Sequence, residues 1–414
     1  MKLFQLCFSL SLLLLLSGCN LANIIKMRYA NDDLTPVWPN QTNETVMPAF
    51  YNEADKPYIE VSINGIPGFR FMIDTGASMS YLIDTEKAKA LNLKKGYSLS
   101  MGGWGDQEDS TLYQTRVDSL TIANVAFTDV NMAFLQASNT HYFARPDEAT
   151  FDGILGHDIL RHFRWTFDKE TNKISISSEA YKANGDEVAI PFEVTLSKLA
   201  IPVEVDFGNG QTVSQDFLID TGSRHYAKVS AAYVNNNVKL IGPAVTGADF
   251  GLSGKTEHFR TTIPGLKVSG QSFSNVKVNM IGPDDDEEDN WILGSALLNQ
   301  QVTVIDYHTN TMYLLAKQDG QFHSKYNLAG LELRKLQDGR FVIRYVMPDM
   351  TTANADFAEG DVIYKINGRA ASEISLVEWL DMSAKPGNFE ICRTRKSDKC
   401  ISVNAKHVKG YSAL

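Results

Sequence analysis

Residues 71–76, Phe-Met-Ile-Asp-Thr-Gly, occur again with one change at residues 217–222, Phe-Leu-Ile-Asp-Thr-Gly. Each copy is an apolar run that favours a buried strand and ends at an acid, Asp74 in the first copy and Asp220 in the second. A single Asp-Thr-Gly is usually a turn, but two copies at the ends of apolar strands predict two carboxyl groups at the mouth of a cleft. Such a pair cannot lose both protons cheaply, so it shares one proton and offers an acid and a base together.

The similarity between the two halves continues beyond these hexamers and indicates a duplicated unit. A hairpin pattern with a glycine turn precedes each Asp, an aromatic residue beside glycine follows it by 30 positions, and an Ile-Leu-Gly sequence comes later. The hairpin patterns are residues 58–65 in the first half and 201–210 in the second. The aromatic residues are Trp104 and Phe250, and the Ile-Leu-Gly sequences are residues 154–156 and 292–294.

These motifs resemble the aspartic peptidases of the pepsin and retropepsin kind, whose mark is Asp-Thr-Gly followed later by two apolar residues and a glycine. The resemblance covers about residues 51–320. It implies a mainly β, bilobal fold of β-barrels, with an N-terminal lobe at residues 51–185 and a C-terminal lobe at residues 186–320. It also implies an aspartic endopeptidase that acts on polypeptide substrates, is competent as a monomer and needs neither a cofactor nor a metal.

The resemblance implies a role for each matching residue. Asp74 and Asp220 would hold one water molecule, deprotonate it for attack on a peptide carbonyl and protonate the leaving amine. Thr75 and Thr221 would bond to the backbone across the dyad, and Gly76 and Gly222 would allow the two turns to approach each other closely. Ser223 would bond an outer carboxylate oxygen. Gly156 and Gly294 would lie on the strands behind the dyad. Trp104 and Phe250 are predicted to be substrate-covering flaps, with packing on their own lobes as the alternative.

Arg224 is a departure from the family pattern, because it stands four residues after Asp220. A cation aimed at the dyad would lower the pKa of its carboxyl groups and disturb the shared proton. We therefore expect Arg224 to point to solvent or to pair with an acidic side chain.

The N-terminal residues have the character of an export signal. Residues 1–18 combine Lys2 with an apolar run too short to span a membrane, and the sequence Leu-Ser-Gly-Cys that ends at Cys19 resembles the bacterial lipobox. The resemblance implies lipidation of Cys19, a tether at residues 19–50 and a lipid-anchored protein facing the periplasm. Asn20 suggests the outer membrane of a Gram-negative bacterium. An ordinary signal peptide with a free cysteine is the alternative.

The composition of the chain limits the class of partner that it can bind. The formal net charge of −10 argues against nucleic acid, and 43% hydrophobic residues predict sizeable cores. Cys392 and Cys400 flank a charged stretch that is typical of a hairpin tip. An exported compartment would allow these two thiols to form a disulfide, and two free thiols are the alternative.

Residues 321–414 resemble a PDZ domain, through Gly-Asp-Val-Ile at residues 360–363 and Asn-Gly at residues 367–368. The candidate carboxylate-binding loop is Gly330, Leu331, Glu332 and Leu333. The resemblance implies a C-terminal peptide ligand added as a strand, for substrate recruitment or regulation. A small structural β domain with a blocked groove is the alternative. For the whole chain, the alternative function is a non-catalytic peptide-binding lipoprotein that uses the cleft and the PDZ-like groove.

Overall fold

The computed structural model describes residues 20–39, 42–51, 55–101, 110–135, 150–208, 210–240, 242–251, 254–316, 322–394, 398–408 and 411–412. The predictions for Cys19 and Trp104 concern residues outside these ranges. In the described part of the chain, no helix combines the length and apolar composition needed to span a membrane.

The first half of the chain forms a closed barrel. Its strands are β1 (Glu44–Pro48), β2 (Tyr58–Ile63), β3 (Ile66–Ile73), β4 (Tyr81–Ile83), β5 (Ser98–Met101), β6 (Ser110–Ile122), β7 (Val125–Leu135), β8 (Gly153–Leu155), β9 (Arg164–Asp168) and β10 (Lys173–Ser177). Its helices are α1 (residues 20–28), α2 (Glu86–Lys89) and α3 (His157–Leu160). The sheet runs β2-β3-β8-β4-β7-β6-β5, and pairing of β2 with β6 closes six of these strands into the barrel.

The second half repeats this arrangement. Its strands are β11 (Val188–Pro191), β12 (Glu193–Thr195), β13 (Lys198–Asp206), β14 (Thr212–Asp220), β15 (Ala227–Ser230), β16 (Val245–Gly251), β17 (Gly254–Val268), β18 (Gln271–Ile281), β19 (Trp291–Gly294), β20 (Val302–Asp306) and β21 (Thr311–Leu315), and its helices are α4 (Ala231–Asn237) and α5 (Ser295–Leu298). The sheet runs β12-β13-β14-β19-β15-β18-β17-β16, and β13 pairs with β17. The predicted mainly β, bilobal barrel fold is confirmed.

A six-stranded sheet joins the two lobes. Its order is β1-β10-β9-β20-β21-β11, and the lobes meet where β9 pairs with β20. Alternating burial along strands such as β13 sends every second side chain into one hydrophobic core, which continues through both barrels and this sheet. The two lobes therefore form one body with a cleft between the ends of β3 and β14.

The prediction that residues 19–50 form a tether is wrong for residues 20–39 and 42–50. Met27 of α1 is fully buried, and the Asn31 amide donates hydrogen bonds to the Asp158 carboxylate (2.7 Å) and to the Asn131 carbonyl (2.8 Å). Strand β1 adds to the interlobe sheet beside β10. The segment lacks helical periodicity over its whole length, but these specific contacts attach it to the first lobe.

The C-terminal region has a core of its own around Phe341 and Trp379. Its strands are β22 (Leu331–Lys335), β23 (Phe341–Val346), β24 (Val362–Ile366), β25 (Arg369–Ala370), β26 (Gly387–Thr394) and β27 (Asp398–Ala405), with helix α6 (Leu376–Ser383) and short 3₁₀ helices at Thr351–Asn354 and Ala371–Glu373. The sheet runs β22-β23-β24-β26-β27, so β22 is an edge strand. Cys392 and Cys400 lie opposite each other on β26 and β27 and form a disulfide.

Candidate active site

Asp74 and Asp220 occupy equivalent places in the two lobes. Asp74 directly follows β3, Asp220 ends β14, and each strand pairs in parallel with the strand that carries Ile-Leu-Gly. The Asp74 N–H donates to the Leu155 carbonyl (3.0 Å), and Asp220 lies opposite Gly294 in the β14–β19 register. The duplicated sequence thus places both acids at strand ends that face each other.

The two threonines interlock the lobes as the sequence predicts. The Thr75 hydroxyl donates to the Ile219 carbonyl (2.7 Å), and the Thr221 hydroxyl donates to the Ile73 carbonyl (2.8 Å). Each hydroxyl also accepts a hydrogen bond of 3.1 Å from the backbone N–H of the other threonine. Four hydrogen bonds between buried groups therefore hold the two acid-bearing turns together against the repulsion of their charges.

Glycine is required at the turns, because each turn approaches the carboxyl group of the other lobe. A Cβ atom on Gly76 would lie 2.6 Å from Cγ of Asp220, and one on Gly222 would collide with the Asp74 carboxyl group. The Gly76 N–H also donates to Oδ1 of Asp74 (2.8 Å). The close approach of the two carboxyl groups thus depends on the absence of a side chain at both positions.

The glycines behind the dyad are equally confined. A Cβ atom on Gly156 would lie 2.5 Å from the Met79 carbonyl oxygen, and one on Gly294 would collide with the backbone of Ser223 and His225. Side chains there would displace the chain that follows each Asp-Thr-Gly turn. Both positions therefore match the prediction for the strands behind the dyad.

Burial of two neighbouring carboxyl groups raises the pKa of one of them. The pKa of Asp220 is raised to about 7 by burial, by the negative charge of Asp74 and by a hydrogen bond between the two side chains. Lys198 and Lys56 oppose this rise with positive charge. Below about pH 7 the pair therefore holds at least one proton, as an acid and base working together requires.

Two tyrosines near the dyad were not predicted from the sequence. Burial and the charges of Asp74 and Asp220 raise the pKa of Tyr81, and burial and the charge of Asp74 raise the pKa of Tyr307. Both phenols therefore stay protonated near neutral pH, and among the described residues the buried Tyr307 hydroxyl has no hydrogen-bond partner. Tyr81 follows the first Asp-Thr-Gly closely, but Tyr307 comes from the interlobe region, and no pattern around residue 307 marks it.

Ser223 differs from the prediction. Its hydroxyl bonds to Nδ1 of His225 (2.7 Å) rather than to a dyad carboxylate, and Nε2 of His225 bonds to Oδ2 of Asp249 (2.7 Å). In the tautomer with the proton on Nε2, Nε2–H donates a hydrogen bond to Asp249, and Nδ1 accepts a hydrogen bond from the Ser223 hydroxyl. His225, held in place by Asp249 of β16, thus engages this hydroxyl instead of a dyad carboxylate.

Arg224 pairs with acids, as the sequence favours, and it reaches the C-terminal region. Its guanidinium donates to Asp249 (2.9 Å) and to Glu332 (2.8 Å), and the Glu332 carboxylate also accepts from Arg260 (2.5 Å). Burial alone would raise the pKa of both acids. The charges of Arg260 and Arg224 nevertheless hold the pKa of Glu332 at about 2. His225, Arg260 and Arg224 together hold the pKa of Asp249 well below its ordinary value. Arg224 and Arg260 thus form an ion-pair cluster with Asp249 and Glu332, in which two positive charges balance two negative charges.

Residues 59–159 match the family model described as aspartyl protease. The matched range contains Asp74 and Gly156. Among solved structures, the chain is similar to an aspartic proteinase from Irpex lacteus, at 14% identity and a TM-score of 0.45, over 66% of this chain and 98% of that one. No curated protein matches the sequence.

Phe250 lies where the C-terminal region meets the second lobe. The hairpin of β16 and β17 packs against Tyr345 and Met347 of the C-terminal sheet, and the guanidinium of Arg344 stands 3.5 Å from the centroid of the Phe250 ring. The Lys255 side chain of the same hairpin contacts Glu359. The predicted flap of the second lobe is therefore held by the C-terminal region, which the sequence pattern alone did not indicate.

The predicted carboxylate-binding loop has two different faces. Leu331 and Leu333 enter the C-terminal core, whereas Glu332 points to the second lobe and binds Arg224. Gly330 has a positive φ of 69°, and its N–H donates to the Asn327 side chain (2.9 Å). The loop thus forms an edge of the C-terminal sheet and also contacts the second lobe.

A cavity of about 70 Å³ lies at this junction, with room for several water molecules. The lining includes Asp55 of the first lobe, Arg224 and Ala296 of the second, and Asn327 and Leu380 of the C-terminal region. Three parts of the chain therefore meet around one solvent-accessible space, close to the turn that carries Asp220.

Proposed function

We propose that this protein is an aspartic endopeptidase that hydrolyses peptide bonds in polypeptides through Asp74 and Asp220. The observation that carries the proposal is the close approach of two carboxyl groups from symmetry-related turns, each so near the glycine of the other turn that a Cβ atom there would collide with it. The pKa of Asp220, raised to about 7 by burial and by the charge of Asp74, favours a proton shared by the pair. The aspartyl protease match over residues 59–159 supports the same reaction class.

In this reaction the carboxyl pair binds one water molecule. The ionised carboxylate takes a proton from the water as the water oxygen attacks the peptide carbonyl carbon. The protonated carboxyl group donates a hydrogen bond to the carbonyl oxygen. Collapse of the tetrahedral intermediate breaks the C–N bond, and the pair returns one proton to the leaving amine. The threonine interlock keeps the two acids aligned through both proton transfers.

The test is replacement of each acid by its neutral isostere. We expect Asp74→Asn and Asp220→Asn to lower kcat on a peptide library by about 10³-fold or more, because neither variant retains both acid and base. Asp216→Asn is the matched control, since Asp216 is an exposed acid on the same strand as Asp220. Full cleavage by either dyad variant would reject the proposal in favour of the non-catalytic peptide-binding alternative or another active site.

We also propose that residues 321–414 act as a PDZ-like module that recruits substrates or regulates the cleft. The supporting observation is that β22 is an edge strand beside α6, so a peptide can add to it as a further strand. The Gly330 N–H is engaged by Asn327, so a terminal carboxylate bound there would replace that side chain. Fluorescence anisotropy with one peptide as free acid and as amide tests this role, and equal affinity for both would reject carboxylate recognition.

For location, we propose an exported protein anchored by a lipid on Cys19 and facing the periplasm, at the outer membrane of a Gram-negative bacterium. Because residues 20–39 pack on the first lobe, the anchor would hold the folded body near the membrane surface. The Cys392–Cys400 disulfide suits an oxidising compartment. Membrane fractionation of the native chain and of Cys19→Ala tests the anchor, and retention of the variant in membranes would contradict it.

A further inference from the structure

A lysine lies opposite the catalytic acid of the first lobe. The antiparallel pairing of β2 and β3 continues past the strand ends, because the Ile73 N–H donates to the Pro57 carbonyl (2.9 Å). The next residues in this register are Lys56 and Asp74. Residues directly opposite each other in an antiparallel pair project to the same side of the sheet. Lys56 is half-buried, and burial lowers the pKa of its ammonium group while the charges of Asp74 and Asp220 raise it.

The second lobe has a lysine at the equivalent position. Ala200 pairs with Leu218 in the antiparallel register of β13 and β14, and two residues further along this register Lys198 comes opposite Asp220. Lys198 is also partly exposed. Each lobe therefore places one lysine opposite its own dyad acid, Lys56 opposite Asp74 and Lys198 opposite Asp220.

A third cation comes from the C-terminal region. Arg344 of β23 stacks on Phe250, and its buried Nε has no hydrogen-bond partner among the described residues. Lys56 lies within range of the charges of Arg344, Arg224 and both dyad acids. Stacking on an aromatic ring holds a guanidinium in one orientation and leaves its edge ready for a carboxylate. The C-terminal region thus extends the cationic side of the cleft next to Lys56.

The charges around the cleft do not balance. Within the described residues, Lys56, Lys198 and Arg344 form no ion pair with a carboxylate, because the nearby acids Asp249 and Glu332 are already shared by two other arginines. Burial and neighbouring arginines lower the pKa of Lys56 and hold that of Arg344 well below its ordinary value, as expected for basic groups without a compensating anion. The dyad with one proton supplies a single negative charge beside these three basic groups. An excess of positive charge at this point in a chain of net charge −10 indicates an anionic ligand.

We infer that the cleft selects polypeptide segments with acidic side chains beside the scissile bond, bound by Lys56 and Arg344 on one side and by Lys198 on the other. This inference rests on the proposed peptidase function and adds the substrate class. Glu and Asp carboxylates fit, because a guanidinium edge and a nearby ammonium group together donate several charge-assisted hydrogen bonds. Uncharged isosteres lose this attraction and leave the cations desolvated.

The experiment compares matched peptides with Glu or Gln at positions on either side of the cleaved bond. Acetylated and amidated ends remove the terminal charges, so only side-chain carboxylates are tested. We expect the wild-type protein to prefer Glu over Gln by about tenfold in kcat/KM on each side. Lys56→Gln and Arg344→Gln should abolish the preference on one side, and Lys198→Gln should abolish it on the other. Lys173→Gln and Arg340→Gln, at exposed sites, are the matched charge controls.

A second measurement separates this inference from the proposed reaction. Asp220→Asn should bind labelled Glu peptides about tenfold more tightly than Gln peptides in fluorescence anisotropy, even though it cannot cleave them. Tight, acid-selective binding without cleavage by the wild-type protein would reject the peptidase proposal and keep the acidic ligand class. Equal kcat/KM for Glu and Gln peptides in an active wild-type protein would overturn the inference alone. A loss in Lys56→Gln that is equal for both peptides, with a shifted pH profile, would also overturn it, because the lysine would then act only on the dyad.

Discussion

The Arg224 guanidinium lies 2.8 Å from the Glu332 carboxylate, although 108 residues separate the two in the chain. Arg224 follows the second Asp-Thr-Gly turn, and Glu332 belongs to the edge strand of the C-terminal sheet. This ion pair thus attaches the C-terminal region to the segment that directly follows the Asp220 turn.

Replacing Glu332 should destabilise the protein. Glu332→Gln removes the charge that compensates Arg224 and Arg260, and removing one partner of a buried ion pair costs about 3 kcal/mol. Urea unfolding should show this loss, while Glu390→Gln, at an exposed site of the same region, should unfold like the wild-type protein. Equal midpoints for Glu332→Gln and wild type would mean that the pair does not join the two regions.

Activity should depend on a proton held up to near-neutral pH. Because burial and Asp74 raise the pKa of Asp220 to about 7, the pair keeps its proton below that pH and loses it above. We expect kcat/KM to fall as pH rises through about 7, since the acid that assists the carbonyl oxygen is then lost. A pH series on one peptide measures this. A decline that is already complete near pH 5 would contradict the raised pKa.

The same shift predicts that Asp220 lowers stability at high pH. The folded-state pKa lies above the ordinary value of 3.8, so the stabilisation from proton binding is complete below about pH 4 and is lost as pH rises through 7. Asp220→Asn cannot ionise, and it should exceed the wild-type stability at pH 8 by on the order of 2 kcal/mol. Thermal unfolding at pH 4 and pH 8 tests this, and a gap that does not widen with pH would oppose it.

The Thr75 hydroxyl should matter more than its methyl group. Thr75→Val removes the donor to the Ile219 carbonyl and leaves the Thr221 N–H without its acceptor, which costs about 2 kcal/mol. We expect lower unfolding stability and a lower kcat, because the lobes lose alignment at the dyad. Thr75→Ser keeps the hydroxyl and is the control. If the valine and serine variants behave alike, the interlock does not depend on these hydrogen bonds.

Gly156 should not tolerate even one methyl group. In Gly156→Ala the new Cβ would lie 2.5 Å from the Met79 carbonyl oxygen, and the resulting displacement should cost about 2 kcal/mol and reduce activity. Gly387→Ala is the control, because that strand glycine has no atom within 4 Å of the new Cβ. Chemical denaturation compares the two. Equal stability would show that the strand behind the dyad moves freely.

Several features of the site were predictable because they repeat. Asp74, Thr75 and Gly76 have counterparts in the second half, and the requirement for small residues behind the dyad follows from the same motif. Lys56 and Lys198 also occupy equivalent register positions, but they stand 18 and 22 residues before their acids, since the two hairpins differ in length. Only the strand pairing reveals that they correspond.

The amino-acid sequence by itself determined the two acid-bearing turns and the barrel architecture, because local strand patterns and a duplicated motif specify them. Three contacts became known only from the tertiary structure. Residues 20–39 pack on the first lobe, the C-terminal region packs against the β16–β17 hairpin, and Arg344 lies beside Phe250. Those contacts join residues about a hundred positions apart. They depend on burial and charge pairing between separate surfaces, which no local pattern records.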